Sequence, residues 1–369
     1  MRIIDQSTYN IPDNIQKILL IQLGDIGDVV WTTPSIRAAK NAFPNGEISI
    51  LVKEGFGGLL EADPSVDRIF EVKSYAGNFL RRAINQLSFL RNIRSQHFDL
   101  AIDLRLGDRG AFLSRATGAP IRATLYHPTG LPWWRNLLFT HGVIPADLPP
   151  ERGAAEQSLR ILRVLGIDTD NKIPHLWVSE SVMKSIMEIL RQENMAGLKR
   201  WITINPFSRW SYKEWDDHKW AEIISGLWND FGIRAVVVGS TEERTRAEDL
   251  IQKCNSGVMN LAGKTTLAEL ACLLGLSRLH IGVDSAAPHI AAAIGTPTVT
   301  IYGPSSWFDW APVGVSHCVI APEMTCAPCH QKGCGGSGRS ECLQNLTVKQ
   351  VKDIVWGAVK AQAVQDGTC

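Results

Sequence analysis

The chain has 369 residues, 45% of them hydrophobic, with 38 Lys and Arg against 37 Asp and Glu for a formal net charge of +1. That length exceeds what one hydrophobic core usually supports, so two domains are expected, and the near-neutral balance excludes a nucleic-acid binder whose affinity rests on a basic surface. The stretch from Met1 to Ser7 lacks the apolar core of a signal peptide, and no apolar run approaches the roughly 20 residues that span a bilayer, which predicts a cytoplasmic protein.

The pattern opens with an apolar strand, Lys17 to Leu23, then a glycine turn and a helix from about Val29 to Phe43. Strands follow at Glu47 to Val52, Arg68 to Val72 and Asp99 to Leu104, with a basic helix inside Gly77 to Gln96. Such alternation predicts right-handed βαβ units around a parallel sheet. Pro145, Pro149 and Pro150 punctuate the chain before a helix at Ala154 to Leu165, and Gly166 to Pro174 reads as a connector. A second series of strands runs through Trp201 to Asn205, Arg234 to Val238, Val258 to Leu261, Leu279 to Val283 and Thr298 to Ile301, with helices between. The stretch from Thr347 to about Ala363 reads as a helix with Val348, Val351, Val355 and Val359 on one face. The predicted fold class is α/β, with two Rossmann-like doubly wound lobes. The N-terminal domain is expected over residues 1–170, the C-terminal domain over 171–345, and a terminal helix over 346–369 packing back towards the N-terminal lobe. Ligands of open α/β sheets bind beyond the carboxyl ends of the strands, so two facing lobes predict an interdomain cleft.

The motifs are therefore sought at strand ends. After the first strand, Gly24-Asp25-Ile26-Gly27-Asp28 permits close backbone approach, but its G-x-x-G spacing is not the dinucleotide fingerprint. Asp28, or alternatively Asp25, is placed to accept a proton from a substrate hydroxyl. Asp28 reads equally as a helix cap, and a helix N-terminus would lower its pKa and weaken it as a base. After Asn205, a loop carrying Ser208, Arg209 and Lys213 offers positive charge to a departing phosphate, or is simply a solvated basic loop. Gly239 begins a turn with two carboxylates, Glu242 and Glu243, suited either to a ribose or to the dipole of the next helix. The most informative segment is 282–304, in which a strand ends at Asp284 and a helix opens on Ser285, Ala286 and Ala287. Unpaired amides at such an opening suit a phosphate, and His289 lies one turn inward on the same face; a capped helix with a core histidine is the plain alternative.

Between Lys73 and Arg122 the arginines Arg81, Arg82, Arg91, Arg94, Arg105, Arg109, Arg115 and Arg122 face only Asp99, Asp103 and Asp108. This cationic stretch suits an anionic acceptor or a membrane surface, or forms a solvated helix face. Cys326, Cys329, Cys334 and Cys342 crowd one segment, while Cys254, Cys272, Cys318 and Cys369 are scattered. Their C-x-x-C spacing leaves open either a metal knot, with His330 as a competing ligand, or reduced thiols in a packed loop. No catalytic metal site is expected, because no Asp-x-Asp pair occurs at a strand end.

Read together, these segments resemble the heptosyltransferases of bacterial lipopolysaccharide core synthesis, glycosyltransferase family 9. The resemblance rests on Gly24-Asp-Ile-Gly-Asp-Val29, on Lys213-Glu-Trp215, and on Asp284-Ser-Ala-x-x-His289 followed by Tyr302-Gly303-Pro304. The tail, Cys326-x-Pro-Cys329 through Cys334 to Cys342-Leu, is similar to heptosyltransferase III-like members. It implies a GT-B fold and an inverting transfer of heptose from ADP-heptose to a hydroxyl of a lipid A-core oligosaccharide, without cofactor, metal or nucleic acid. It also implies a cytoplasmic enzyme in peripheral contact with the inner membrane. On this resemblance Asp28 is the expected base, Lys213 serves the donor phosphates, and Ser208, Gly239, Glu243, Asp284, Ser285, Ala286 and His289 complete the donor site. The acceptor is expected at Gly27, Asp28 and Arg105. Where some members carry Asp-Thr-Gly or Asp-Ser-Gly, this chain has Ala286, whose methyl group narrows the approach and leaves the donor open. A nucleotide-sugar epimerase of GT-B architecture and a non-catalytic nucleotide-sugar-binding protein are the competing readings.

Overall fold

The computed structural model describes residues 1–5, 11–12, 14–73, 78–127, 132–146, 151–195, 201–314 and 316–365. The chain divides into two compact units, the first comprising Met1–Pro150 and Ala154–Trp177, the second Glu151–Gly153 and Val178–Cys369.

In the first unit the chain runs β1 (Arg2–Ile4), β2 (Lys17–Ile21), α1 (Ile26–Ala42), β3 (Glu47–Lys53), β4 (Arg68–Val72), α2 (Phe79–Ser95), β5 (Leu100–Asp103), α3 (Asp108–Thr117), β6 (Ile121–Leu125), β7 (His141–Val143) and α4 (Glu156–Val164). Among the described residues these strands form one seven-stranded sheet in the order β1-β7-β6-β5-β2-β3-β4, with every pairing parallel. Ile18 to Ile21 are buried without alternation because both faces of a parallel sheet are covered by crossover helices. Helix α1 carries Pro34 in its interior, which removes one backbone donor. The Val30 carbonyl left without that donor accepts instead from Thr33 Oγ1 at 2.8 Å, and the helix continues.

The second unit runs α5 (Glu180–Gln192), β8 (Trp201–Asn205), α6 (Asp217–Phe231), β9 (Arg234–Val237), α7 (Arg244–Gln252), β10 (Val258–Asn260), α8 (Leu267–Leu276), β11 (His280–Val283), α9 (Ala286–Ala293), β12 (Thr298–Ile301), α10 (Trp307–Trp310), β13 (His317–Ile320), α11 (Glu341–Asn345) and α12 (Val348–Gln365). Its six-stranded parallel sheet has the order β10-β9-β8-β11-β12-β13. Helix α12 sets Val351, Val355 and Val359 into the core shared with Trp220, Ile224 and Val299. It packs on α6, β12 and β13. Trp356 lies edge-on to Phe231 and donates to Asp230 at 2.9 Å, while Gly226 leaves room for its indole.

Strand order reverses once in each sheet, between β5 and β2 in the first and between β8 and β11 in the second. The successive crossovers depart in opposite directions there, leaving a crevice at the carboxyl ends of the two strands. The Gly24–Asp28 turn and Arg105 follow β2 and β5, and the Ser208–Lys213 loop and Asp284 follow β8 and β11.

A tight crossing sets the turn after β9. Gly263 has φ +70° and donates its N–H to the Gly239 carbonyl at 3.0 Å, and a Cβ there would stand 2.7 Å from Thr241 Cα. Gly263→Ala is expected to cost about 1–3 kcal/mol through the left-handed backbone and the clash. Urea unfolding should show a lower midpoint at unchanged slope; an unchanged midpoint would mean the turn yields freely.

Candidate active site

In the first unit, Asp28 sits in the opening turn of α1. Its Oδ2 accepts the Asp25 N–H at 2.7 Å, and its Oδ1 accepts Arg105 Nη1 at 2.8 Å. A Cβ at Gly24 would occupy the space of this carboxylate, so glycine there makes room for it. Asp25, the exposed alternative, pairs with Lys53 at 3.0 Å. The helix-cap and the site readings of Asp28 thus meet in one side chain, with one oxygen closing the helix start and the other turned to Arg105. The lowered pKa expected from the helix terminus is not what results. Burial raises the Asp28 carboxyl above its ordinary value, outweighing Arg105, the Asp25 N–H and Lys53, which all pull it down.

Arg105 leaves β5 just after Asp103, which lies beneath it. Asp103 Oδ1 accepts the Arg105 N–H at 3.2 Å, and Oδ2 pairs at 2.9 Å with Arg135, itself 0% exposed. The Arg135 guanidinium also donates to the Arg105 carbonyl at 3.2 Å, so this buried charge holds the backbone on which Arg105 stands. Burial pushes the Asp103 carboxyl up to about 7 against the pull of Arg135. Above the pair opens a cavity of about 520 Å³ lined by Leu23, Lys53, Arg105, Arg109, Arg160 and Asp108 among others. The sequence reading placed Arg105 and Arg109 in an undivided cationic stretch; the structure assigns these two to a cavity wall. Arg122 is different, because its guanidinium donates to the Leu138 and Ala119 carbonyls.

In the second unit, Lys213 lies in the turn after β8 and its ammonium meets Asp284 Oδ2 at 2.6 Å, with Asp284 almost fully buried. Ser208 sits beside them, its Oγ 3.5 Å from the Asp284 carbonyl and its N–H held by Glu214 at 2.9 Å. Arg246 grips both oxygens of Glu214 at 3.1 and 2.7 Å and lies over the Phe207 ring. The loop is therefore braced from α7. Arg209 lies over the Trp210 ring.

Ser285 stands at the cap position of α9 but does not cap it. Its hydroxyl donates to Asn205 Oδ1 at 2.8 Å, and Asn205 Nδ2 donates to the Val238 carbonyl at 3.0 Å. The first helical amides, those of Ala286 and Ala287, thus lack a side-chain cap, and Pro288 at the third helical position brings no N–H at all. His289, one turn on, is buried and held neutral, its pKa brought down to about 4 by burial and by Lys213 against the opposing pull of Asp284. Gly239 and Glu243 meet as closely as glycine allows. Glu243 Oε2 accepts the Ser240 N–H at 2.7 Å, and a Cβ on Gly239 would come within 2.7 Å of that oxygen.

Sequence reasoning missed the residues that fix this geometry. Asn205, Glu214, Arg246 and Arg135 make the decisive hydrogen bonds; the strand-terminal place of Asn205 and the place of Glu214 inside the Lys213-Glu-Trp215 motif carried a signal, and Arg246 and Arg135 carried none. Cys326 is exposed, Cys329 and Cys334 are partly buried, Cys342 is buried, and none of them is bridged. Among the described residues, no group of three or more His, Cys, Asp or Glu side chains is arranged to hold a metal ion. Cys369 lies outside the described residues.

Arg105→Gln removes a cation that lowers the Asp28 pKa, so that pKa is expected to rise by about one unit or more. The acid limb of the kcat/KM–pH profile should move to higher pH, since activity that needs the carboxylate is lost as pH falls through that pKa; an unmoved limb would separate Arg105 from Asp28 ionisation. Arg135→Met leaves Asp103 without its partner and is expected to cost about 3–5 kcal/mol at neutral pH. The carboxyl of this variant then has a folded-state pKa raised further above its unfolded value. The deficit should therefore be greatest in alkaline solution, shrink as pH falls towards about 7, where the wild-type carboxyl itself takes up its proton, and level off below that in chemical denaturation; a deficit independent of pH throughout would rule out the unpaired charge as its cause.

Residues 86–337 match the family model described as glycosyltransferase family 9 (heptosyltransferase). Lipopolysaccharide heptosyltransferase 3 of Escherichia coli is 28% identical over 293 residues, covering 78% of this chain and 83% of that protein. Among solved structures, a glycosyl transferase family 9 protein from Veillonella parvula superposes with a TM-score of 0.77 at 20% identity, covering 95% of this chain and 97% of that one. The E. coli ADP-heptose lipopolysaccharide heptosyltransferase II gives 0.73 at 21% identity, covering 95% and 100%. At such identities the superpositions establish the fold, which is GT-B, and the family model establishes the relationship. The chain belongs to glycosyltransferase family 9, the heptosyltransferases, and is a transferase.

Proposed function

We propose that the protein transfers heptose from ADP-heptose to a hydroxyl of the lipopolysaccharide inner core, with inversion at the anomeric carbon. The observation that carries this reading is the complementary chemistry of the two strand-order reversals. The first offers a partly buried carboxylate with a raised pKa, the second a lysine beside an uncapped helix N-terminus. The donor and acceptor are taken from the relatives, which are described as a lipopolysaccharide heptosyltransferase and an ADP-heptose lipopolysaccharide heptosyltransferase.

In this mechanism the acceptor oxygen forms its bond to the anomeric carbon as the bond from that carbon to the diphosphate oxygen breaks, and ADP departs from the opposite face. Asp28 takes the hydroxyl proton; its raised pKa brings it nearer the operating pH of a general base, and Arg105 orients the oxygen that it holds. Lys213 has three N–H directions, of which Asp284 occupies one, so the others are available to the diphosphate. The Ala286 and Ala287 amides and the N–H of neutral His289 stabilise the charge that grows on the leaving group. Gly239 and Glu243 are assigned to the ribose, Ser208 and Ser285 to the donor phosphates and sugar, and Gly27 and Arg105 to the acceptor. No covalent sugar intermediate is required.

The place of action assigned is the cytoplasmic face of the inner membrane, where a lipid A-core acceptor is anchored. Among the described residues no helix is long and apolar enough to cross a membrane.

Incubation with ADP-heptose and truncated lipopolysaccharide acceptors should yield an acceptor heavier by one heptose on mass spectrometry, with UDP- and GDP-sugars inert. Consumption of donor without any acceptor would favour an epimerase and overturn this reading. Asp28→Asn should keep ADP affinity and lose at least about a hundredfold in turnover. Lys213→Ala should impair both turnover and donor affinity, and wild-type kinetics in either variant would remove that residue from the mechanism.

A further inference from the structure

The first unit presents apolar side chains to solvent on a surface that otherwise carries arginine. The 3-10 turn Trp133–Leu138 directs Trp133, 76% exposed, and Leu137, 66% exposed, outward, while Arg135 between them is fully buried on Asp103. A turn that commits a buried guanidinium to its own anchorage presents its outward side chains rigidly, and water gains nothing from a displayed indole and leucine. Phe112 of α3, 56% exposed, stacks on Trp134 with centroids 5.1 Å apart, extending the patch. The turn packs on α3, and α3 packs on α2.

Helix α2 continues the same composition. Ile84, Leu87, Arg91 and Arg94 recur at helical spacing along one exposed face, with Ile84 63% exposed, and the helix contains four arginines and no acid. Exposed aromatic and aliphatic groups mixed with arginine, with no acid on the helix, complement an anionic bilayer surface: the apolar groups enter the headgroup boundary and each arginine near it adds attraction. Tryptophan favours that boundary because one end of its ring is apolar and the other a donor.

We propose that the Trp133–Leu138 turn, Phe112 and the Ile84–Arg94 face of α2 form a docking surface for an anionic phospholipid bilayer. The inference rests on the reading of a lipid-anchored acceptor and gives it a place, since Asp108, Arg109 and Gly110 of α3 line the cavity of the first unit and Phe112 of the same helix belongs to the patch. The surface brings the membrane to the helix that walls the cavity.

The test is sedimentation of the full-length protein with vesicles of phosphatidylcholine alone and of phosphatidylcholine with one-quarter phosphatidylglycerol. Binding is expected only to the anionic vesicles, weakening with salt. It should fall about tenfold or more in Trp133→Ser/Leu137→Ser and in Arg91→Gln/Arg94→Gln, with thermal unfolding confirming that both variants fold. Transfer to a water-soluble, deacylated acceptor should be unchanged in both, whereas transfer to the acylated acceptor in vesicles should fall. Equal binding to both vesicle types, undiminished binding by the folded variants, or a self-association that the first double substitution abolishes without any lipid binding would each overturn the proposal. Vesicle binding is read without donor or transfer, so its failure is distinct from failure of the proposed reaction.

Discussion

In a parallel sheet joined by right-handed crossovers, the helices must move to the other face wherever strand order reverses. Each sheet here does this once, and the candidate chemistry gathers at those places. Asp28 and Arg105 leave neighbouring strands β2 and β5, and Lys213 and Asp284 follow neighbouring strands β8 and β11. Residues 77 and 71 positions apart in sequence thereby come within hydrogen-bond distance. No local propensity accomplishes this, because the partners are joined only through the register of the strands that carry them.

Each pair then solves the same problem differently. A buried carboxylate costs several kcal/mol unless it is paired or protonated. Asp28 is only partly neutralised by a half-exposed Arg105, so burial wins and its proton affinity rises. Asp284 is met at 2.6 Å by the Lys213 ammonium. Two aspartates, one in the helix after the first strand of its reversal and one directly after the second strand of the other, thus differ in environment through the exposure of one cation each.

How far the sequence was legible follows from the same distinction. The central strands were readable because burial on both faces gives runs such as Lys17 to Ile21 and Trp201 to Asn205. The valine face of α12 was readable from its period. Strands β1, β6, β7 and β13 were not: interior β6, Ile121–Leu125, is interrupted by Arg122 and Thr124, and the three or four residues of the others, at or near a sheet edge, carry neither a run nor a countable alternation. At the sites, residue type and place at a strand end pointed to Asp28, Lys213, Asp284 and His289. The direction of the Asp28 pKa was misjudged because helix position is local, whereas burial is a property of the assembled unit.

The N-terminus of α9 shows why such sites require the tertiary structure. A serine before three small residues reads as a cap, and caps stabilise helices by about 1 kcal/mol. Here Asn205 draws the Ser285 hydroxyl away, and Val238 in turn fixes the Asn205 amide. The helix forgoes that stabilisation, and its first donors are left without a side-chain cap. Stability given up at the mouth of a strand-order reversal fits the proposed diphosphate site, where the first amides serve a ligand rather than the helix itself.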